Sequence, residues 1–144
     1  MRWRPQPLLA CALVTTAVAA GGCVGGQASD GPSGAIIHVT ERDFTIHAPA
    51  RIPAGDVRLF VHNRGPDMHE LIVVRSSAVE LPLRPDAATV DEDGLEPATI
   101  GTLEPGPPGS VREIDLHLAP GHYEVFCNMA GHYLAGMSAT FTVE

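Results

Sequence analysis

Cysteine is scarce in this sequence, and what there is cannot form disulfides in the part expected to fold. Cys11 lies in an N-terminal apolar run, Cys23 just beyond it, and only Cys127 falls within the strand-rich remainder. Small domains in oxidising compartments that use cysteine generally pair it, so a lone thiol there needs another purpose, and metal ligation is a good one. Lysine is absent altogether. Beyond residue 22, seven arginines face seventeen acids, a balance near −10. That excludes nucleic acid as a partner, because phosphates demand a basic surface. No apolar run reaches the roughly 20 residues that cross a bilayer as a helix. There is no Ser/His/Asp arrangement, no P-loop and no internal repeat. The acidic cluster Asp91-Glu92-Asp93 lacks the spaced oxygen ligands of a calcium loop and reads as a solvated face.

The first residues have an organisation of their own. Met1-Arg2-Trp3-Arg4 is basic, Leu8 to Ala20 is apolar and small, and Gly21-Gly22-Cys23 follows. This pattern predicts an export signal over residues 1–22. Ala20-Gly21-Gly22-Cys23 resembles the site where bacterial lipoproteins are cleaved and the new N-terminal cysteine is lipidated, with Ala20 where a branched apolar residue is usual. The alternative is ordinary cleavage after Ala17-Val18-Ala19, which leaves Cys23 as a free thiol. Either way the expected location is periplasmic or otherwise extracytoplasmic; the first reading adds attachment to the membrane surface through Cys23. Residues 23–34 are rich in Gly, Ser and Asp and read as a flexible tether. Residues 35–144 then form one domain, a length of about 110 residues that can bury a core without staples.

Within that domain the apolar residues alternate as strands require. Ala35 to Thr40, Phe44 to Ile46, Val57 to His62, Val111 to Leu118, His122 to Cys127 and Ser138 to Val143 are strand-like, and Pro53-Ala54-Gly55, Asn63 to Asp67 and Ala119-Pro120-Gly121 are turns. Leu71-Ile72-Val73-Val74 is continuously apolar, as a central strand would be. Residues 76–109 break the rhythm with six prolines and read as a long irregular excursion with one short helix or strand. Seven or so short strands with Pro/Gly turns predict an all-β, antiparallel sandwich or barrel.

The segment that carries chemistry is Cys127-Asn128-Met129-Ala130-Gly131-His132-Tyr133-Leu134-Ala135-Gly136-Met137. It brings a thiolate, an imidazole and a thioether into one interstrand loop, and His69 opens a strand far upstream. Two histidines and a cysteine in a trigonal set with a long axial methionine are the donors of a mononuclear blue-copper centre. Soft sulfur suits Cu(I) and imidazole serves both oxidation states, so a compromise geometry keeps rearrangement small on electron transfer. Gly131 and Gly136 allow the tight turns that aim His132 and Met137 at one point.

Here the sequence resembles the cupredoxins, the blue copper proteins that include plastocyanin, azurin and rusticyanin. Their ligand loop runs Cys, His, Met; four residues fill each gap here, as in rusticyanin-like members. Pro120 to Cys127 resembles the family's penultimate strand, and Pro53 through Asn63 to His69-Glu70-Leu71 its first-ligand region. The resemblance implies a Greek-key β-sandwich, one copper ion, and His69, Cys127, His132 and Met137 as its ligands. It also implies transfer of single electrons between redox partners, which dock transiently on an apolar patch around His132. Met129, Ala130, Leu134 and Ala135 supply that patch, extended by Pro66 and Met68, and the protein is expected to be a monomer. The residue after the first histidine is often Asn in the family and ties the two ligand segments together. Here it is Glu70, and Asn128 is the candidate for a comparable tie.

Each of these residues has a plainer reading. A single strand cysteine is more often a small buried hydrophobe, and a lone methionine is core filler; the shared spacing sets Cys127 and Met137 apart. His38, His47, His62, His117 and His122 lie on strand patterns and read as surface residues, and Met68 and Met129 as apolar lining. A copper-delivery protein with no redox partner is the alternative function, though delivery sites tend to be open and rich in Met or His. An enzyme is not expected: there is no His-x-His pair for further copper sites, and no second cysteine in the loop for a two-copper centre.

Overall fold

A computed structural model describes residues 34–76 and 80–144; the expected signal, the lipid site at Cys23 and nearly all of the tether lie outside them. Among the described residues, nine strands build two facing sheets. β1 (Ala35–Arg42), β2 (Thr45–His47), β4 (Gly55–Asn63) and β7 (Val111–Leu118) form one, in the order β2-β1-β4-β7. β3 (Arg51–Ile52), β5 (His69–Arg75), β6 (Thr99–Gly106), β8 (Gly121–Phe126) and β9 (Ser138–Val143) form the other, in the order β3-β9-β8-β5-β6. Most pairs are antiparallel, as expected; β1 with β4 and β3 with β9 run parallel. The all-β sandwich read from the sequence is the architecture observed.

Side-chain alternation explains the core. Successive strand residues face opposite sides, so Ile37 and Val39 of β1 and Val57, Leu59 and Val61 of β4 all turn inward, against Leu71, Val73, Val125 and Phe141 of the other sheet. The continuous run Leu71 to Val74 is buried on both faces. Its other two members, Ile72 and Val74, join Phe126, Leu81 and Val90 in a second, smaller core. Leu81, Val90 and Leu95 of the excursion pack into that second core, so its irregular path has a packing reason. Tyr123, fully buried, stacks on Phe141 at 5.4 Å between ring centres and donates its hydroxyl to the Ala119 carbonyl at 2.8 Å. This pins the turn before β8, as the tyrosine corner does in other sandwiches.

The excursion is more ordered than the sequence suggested. It holds a short helix α1 (Glu92–Leu95), a 3-10 turn over Glu96–Ala98 and the eight-residue strand β6. β6 carries Gly101, Pro105 and Gly106, which argue against a strand in the middle of a sheet. They are tolerated because β6 is an edge, where a proline costs no ladder bond.

One inward position of the first sheet is charged. Glu41 is fully buried and ion-paired with Arg112, while its Oε1 has no partner. Burial pushes its carboxyl up to about 7 against the opposing pull of Arg112. An acid whose folded pKa exceeds its unfolded value of 4.5 destabilises the fold as pH rises between the two, because the unfolded chain loses that proton first. Glu41→Gln should therefore gain stability relative to the parent, on the order of 3 kcal/mol, between pH 4.5 and 7. Urea unfolding of both proteins across that range measures it. The difference between the curves isolates Glu41, because the other buried titrating groups, His69 among them, are common to both proteins and cancel. A difference moving the other way would mean that Arg112 holds Glu41 charged.

Candidate metal centre

The first donor arrives on β5. Asn63, fully buried at the end of β4, donates from Nδ2 to the carbonyls of Asp67 (2.8 Å) and Gly106 (3.0 Å) and accepts from the Gly65 N–H at 2.9 Å. It thereby fixes the turn 64–68 that delivers His69 into the protein with no exposed surface. The other donors come from the loop between β8 and β9. Its neck is closed by the Cys127 N–H donating to the Met137 carbonyl at 3.1 Å, and the Met137 N–H bonds the His132 carbonyl at 3.0 Å. Gly131 and Gly136 have φ of 81° and 98°, the left-handed backbone that a side chain would strain.

The structure brings three of the four expected ligands together. One donor atom each from His69, Cys127 and His132 lies within 4.8 Å of the others, close enough for one copper ion to reach all three. Cys127 Sγ is 3.5 Å from His132 Nδ1, and the two imidazole rings lie 5.2 Å apart between centres. Met137 is wholly buried and packs in the same core cluster as Cys127. Met68, by contrast, is exposed, and Met129 packs at the edge of the core. Four of the remaining histidines are exposed and His62 is half-buried, as expected of surface residues.

The site fits a metal on its own terms. His69 Nδ1 is buried with no hydrogen-bond partner, and a buried polar atom left unpaired is costly unless something else satisfies it. Burial lowers the pKa of His69, so its imidazole is kept neutral, the form that ligates. Burial pushes the Cys127 thiol up; the backbone N–H groups of Glu70 and Met129, aimed at the sulfur, pull the other way and would stabilise a thiolate. Thiolate with two imidazoles selects a soft or borderline transition ion.

The tie between the ligand segments differs from the expectation. Glu70 makes it: its backbone N–H faces Cys127 Sγ and its carboxylate accepts from the Asn128 N–H. Asn128 reaches elsewhere. Its side chain accepts from the Val90 N–H at 2.6 Å and donates to the Val90 carbonyl (3.1 Å) and to Glu92 (2.7 Å). With the Gly131 N–H on the Ala88 carbonyl at 2.9 Å, the excursion clamps the ligand loop from outside. Two further residues were not singled out by the sequence. Asp43 Oδ1 lies 3.1 Å from His69 Nε2, and the Phe44 ring stands edge-on to His132 at 5.5 Å. Both sit in the β1–β2 turn, whose only sequence signal is a charged break between two strand patterns.

A sandwich of this topology with a His-Cys-His cluster at the end of its central strands defines the cupredoxin fold, and solved structures bear this out. The chain is similar to auracyanin A, described as a blue copper protein from Chloroflexus aurantiacus, at 19% identity and a TM-score of 0.57, covering 76% of this chain and 98% of that one. It is also similar to an azurin from Methylomonas sp. strain J (17%, TM-score 0.56, 76% and 98% covered) and to rusticyanin from Thiobacillus ferrooxidans (17%, TM-score 0.56, 78% and 79% covered). No protein-family model and no curated protein matches the sequence.

Proposed function

We propose that this protein is a mononuclear blue-copper electron carrier, with His69, Cys127 and His132 as the strong ligands and Met137 as the axial one. The observation that carries the reading is that His69, Cys127 and His132 each bring a donor atom within 4.8 Å of the others, in a cupredoxin fold, while a buried nitrogen of His69 has no partner in the protein. Copper bound there would supply one-electron exchange between Cu(I) and Cu(II). The chain's part is to hold the donors. β5 fixes His69, the Glu70 and Met129 amides steady the sulfur, and the excursion clamps the loop through Asn128 and Gly131. Met137, fully buried in the same cluster as Cys127, offers a soft thioether that suits a weak fourth contact.

Electrons would pass at His132, the ligand that is only half-buried. Around it Phe44, Met68 and Leu134 are large apolar side chains left about half exposed (49%, 47% and 51%). An apolar patch of this kind suits the small, brief contacts of redox partners. Export, and attachment to the membrane through Cys23, are proposed on the sequence of residues 1–23 alone.

Two measurements test this. The visible spectrum of the Cu(II)-loaded protein should show an intense thiolate-to-copper band that bleaches on reduction and disappears in Cys127→Ser. Copper bound with only a weak band would contradict the electron-carrier reading and favour copper delivery. Leu134→Glu should leave that band unchanged and slow electron self-exchange, read by NMR line broadening in mixed oxidation states, by roughly tenfold at low salt. An unchanged rate would place the electron's exit somewhere other than the His132 patch.

A further inference from the structure

The two-residue turn between β1 and β2 contributes no expected ligand, yet it is built toward the site. Arg42 pairs with Thr45, so Asp43 and Phe44 form the whole turn. Phe44 has φ of 60°, a left-handed conformation that a bulky residue rarely adopts and that persists only where the surroundings enforce it. Both side chains reach ligand imidazoles: Asp43 Oδ1 is 3.1 Å from His69 Nε2, and the Phe44 ring lies edge-on to His132.

A second feature makes room for the carboxylate. Gly65, in the turn before His69, has its backbone against this contact. A methyl group there would stand 2.4 Å from Asp43 Oδ1 and 2.8 Å from His69 Nε2, distances no real side chain occupies. Any residue other than glycine would wedge the two apart. Gly65 is therefore required by space.

We propose that Asp43 is the positioning residue of the first imidazole. It accepts a hydrogen bond from His69 Nε2–H, which fixes the tautomer, orients the ring and leaves the Nδ1 lone pair free for the metal. The geometry accounts for both ring nitrogens of a fully buried histidine: one is met by Asp43, the other has no partner in the protein. Carboxylates that hold a metal-bound histidine in this way fix its orientation and strengthen it as a donor. With copper bound, a reading that rests on the function proposed above, the added negative charge favours Cu(II) over Cu(I) and lowers the reduction potential.

The experiment has a metal-free arm and a loaded arm. In the apo protein, nitrogen-detected NMR should find the His69 proton on Nε2; a proton on Nδ1 would overturn the proposal whether or not copper binds. In the loaded protein, Asp43→Asn removes the charge and Gly65→Ala displaces the carboxylate without removing it. Both should weaken Cu(II) binding about 10- to 100-fold, with a smaller loss for Cu(I), and so raise the reduction potential. Unfolding midpoints of the apo variants separate this from a loss of fold. If either folded variant keeps the parent's potential and Cu(II) affinity, Asp43 is only a surface hydrogen bond. A parent protein that binds no copper would refute the proposed function but leave the NMR arm to decide the role of Asp43.

Discussion

The β5–β8 ladder is the constraint on which the site depends. Ile72 pairs with Phe126, Val73 with Val125, Val74 with Glu124 and Arg75 with Tyr123. Following that register past the last pair sets Glu70 beside Asn128 and carries His69 and Cys127 to the same end of the sheet. Beyond the last pair, side-chain acceptors take over from the ladder: the Glu70 carboxylate accepts from the Asn128 amide, and the Glu70 amide faces the Cys127 sulfur. A slip of one residue would turn every side chain of β8 to the opposite face. Cys127 would then leave the core and Phe126 would lose its place in the second cluster. Two hydrophobic cores, one on each side of β5, thus specify the register that the metal donors need.

One buried and one half-buried acid stand close to the donors, at a cost in stability. Glu41 and Glu70 both have carboxyls pushed up by burial, and both act electrostatically on Cys127. Burying acids in this way destabilises a fold. Negative charge held near a donor set also favours the more positive state of whatever ion it binds. Asp43 adds to that field from the far side of His69. The same end of the molecule carries the buried Asn63 that shapes the turn into His69 and the partly exposed apolar side chains around His132. Structural support and charge are therefore concentrated at the pole of the sandwich that holds His69, Cys127 and His132.

Much of this was legible in the sequence, for physical reasons. Cys127, His132 and Met137 fall in one contiguous loop, so their spacing alone carried the chemistry. The alternation in β1, β4, β7, β8 and β9 reported strands with one buried face, and the unbroken run in β5 reported a strand buried on both. β6 was hidden because an edge strand tolerates the Gly and Pro that otherwise signal a loop, and β3 because two residues make no pattern. Asp43, Phe44 and Gly65 were invisible for a different reason. Their roles arise where a tight turn of one sheet meets a loop of the other, and no periodicity records that meeting. Glu70 looked like a departure from the usual Asn, but its carboxylate accepts from the Asn128 N–H and so still joins the two ligand segments.

We propose that the fold itself, through β5, β8 and the closed loop, would hold one thiolate and two imidazoles around a single ion whatever its charge. X-ray absorption at the copper edge, recorded on the fully oxidised and the fully reduced protein, tests this most directly. The account predicts one sulfur and two imidazole nitrogens in the strong coordination sphere of both states, with only small changes in distance. Loss of an imidazole on reduction, or a second strong oxygen or nitrogen ligand on oxidation, would contradict it.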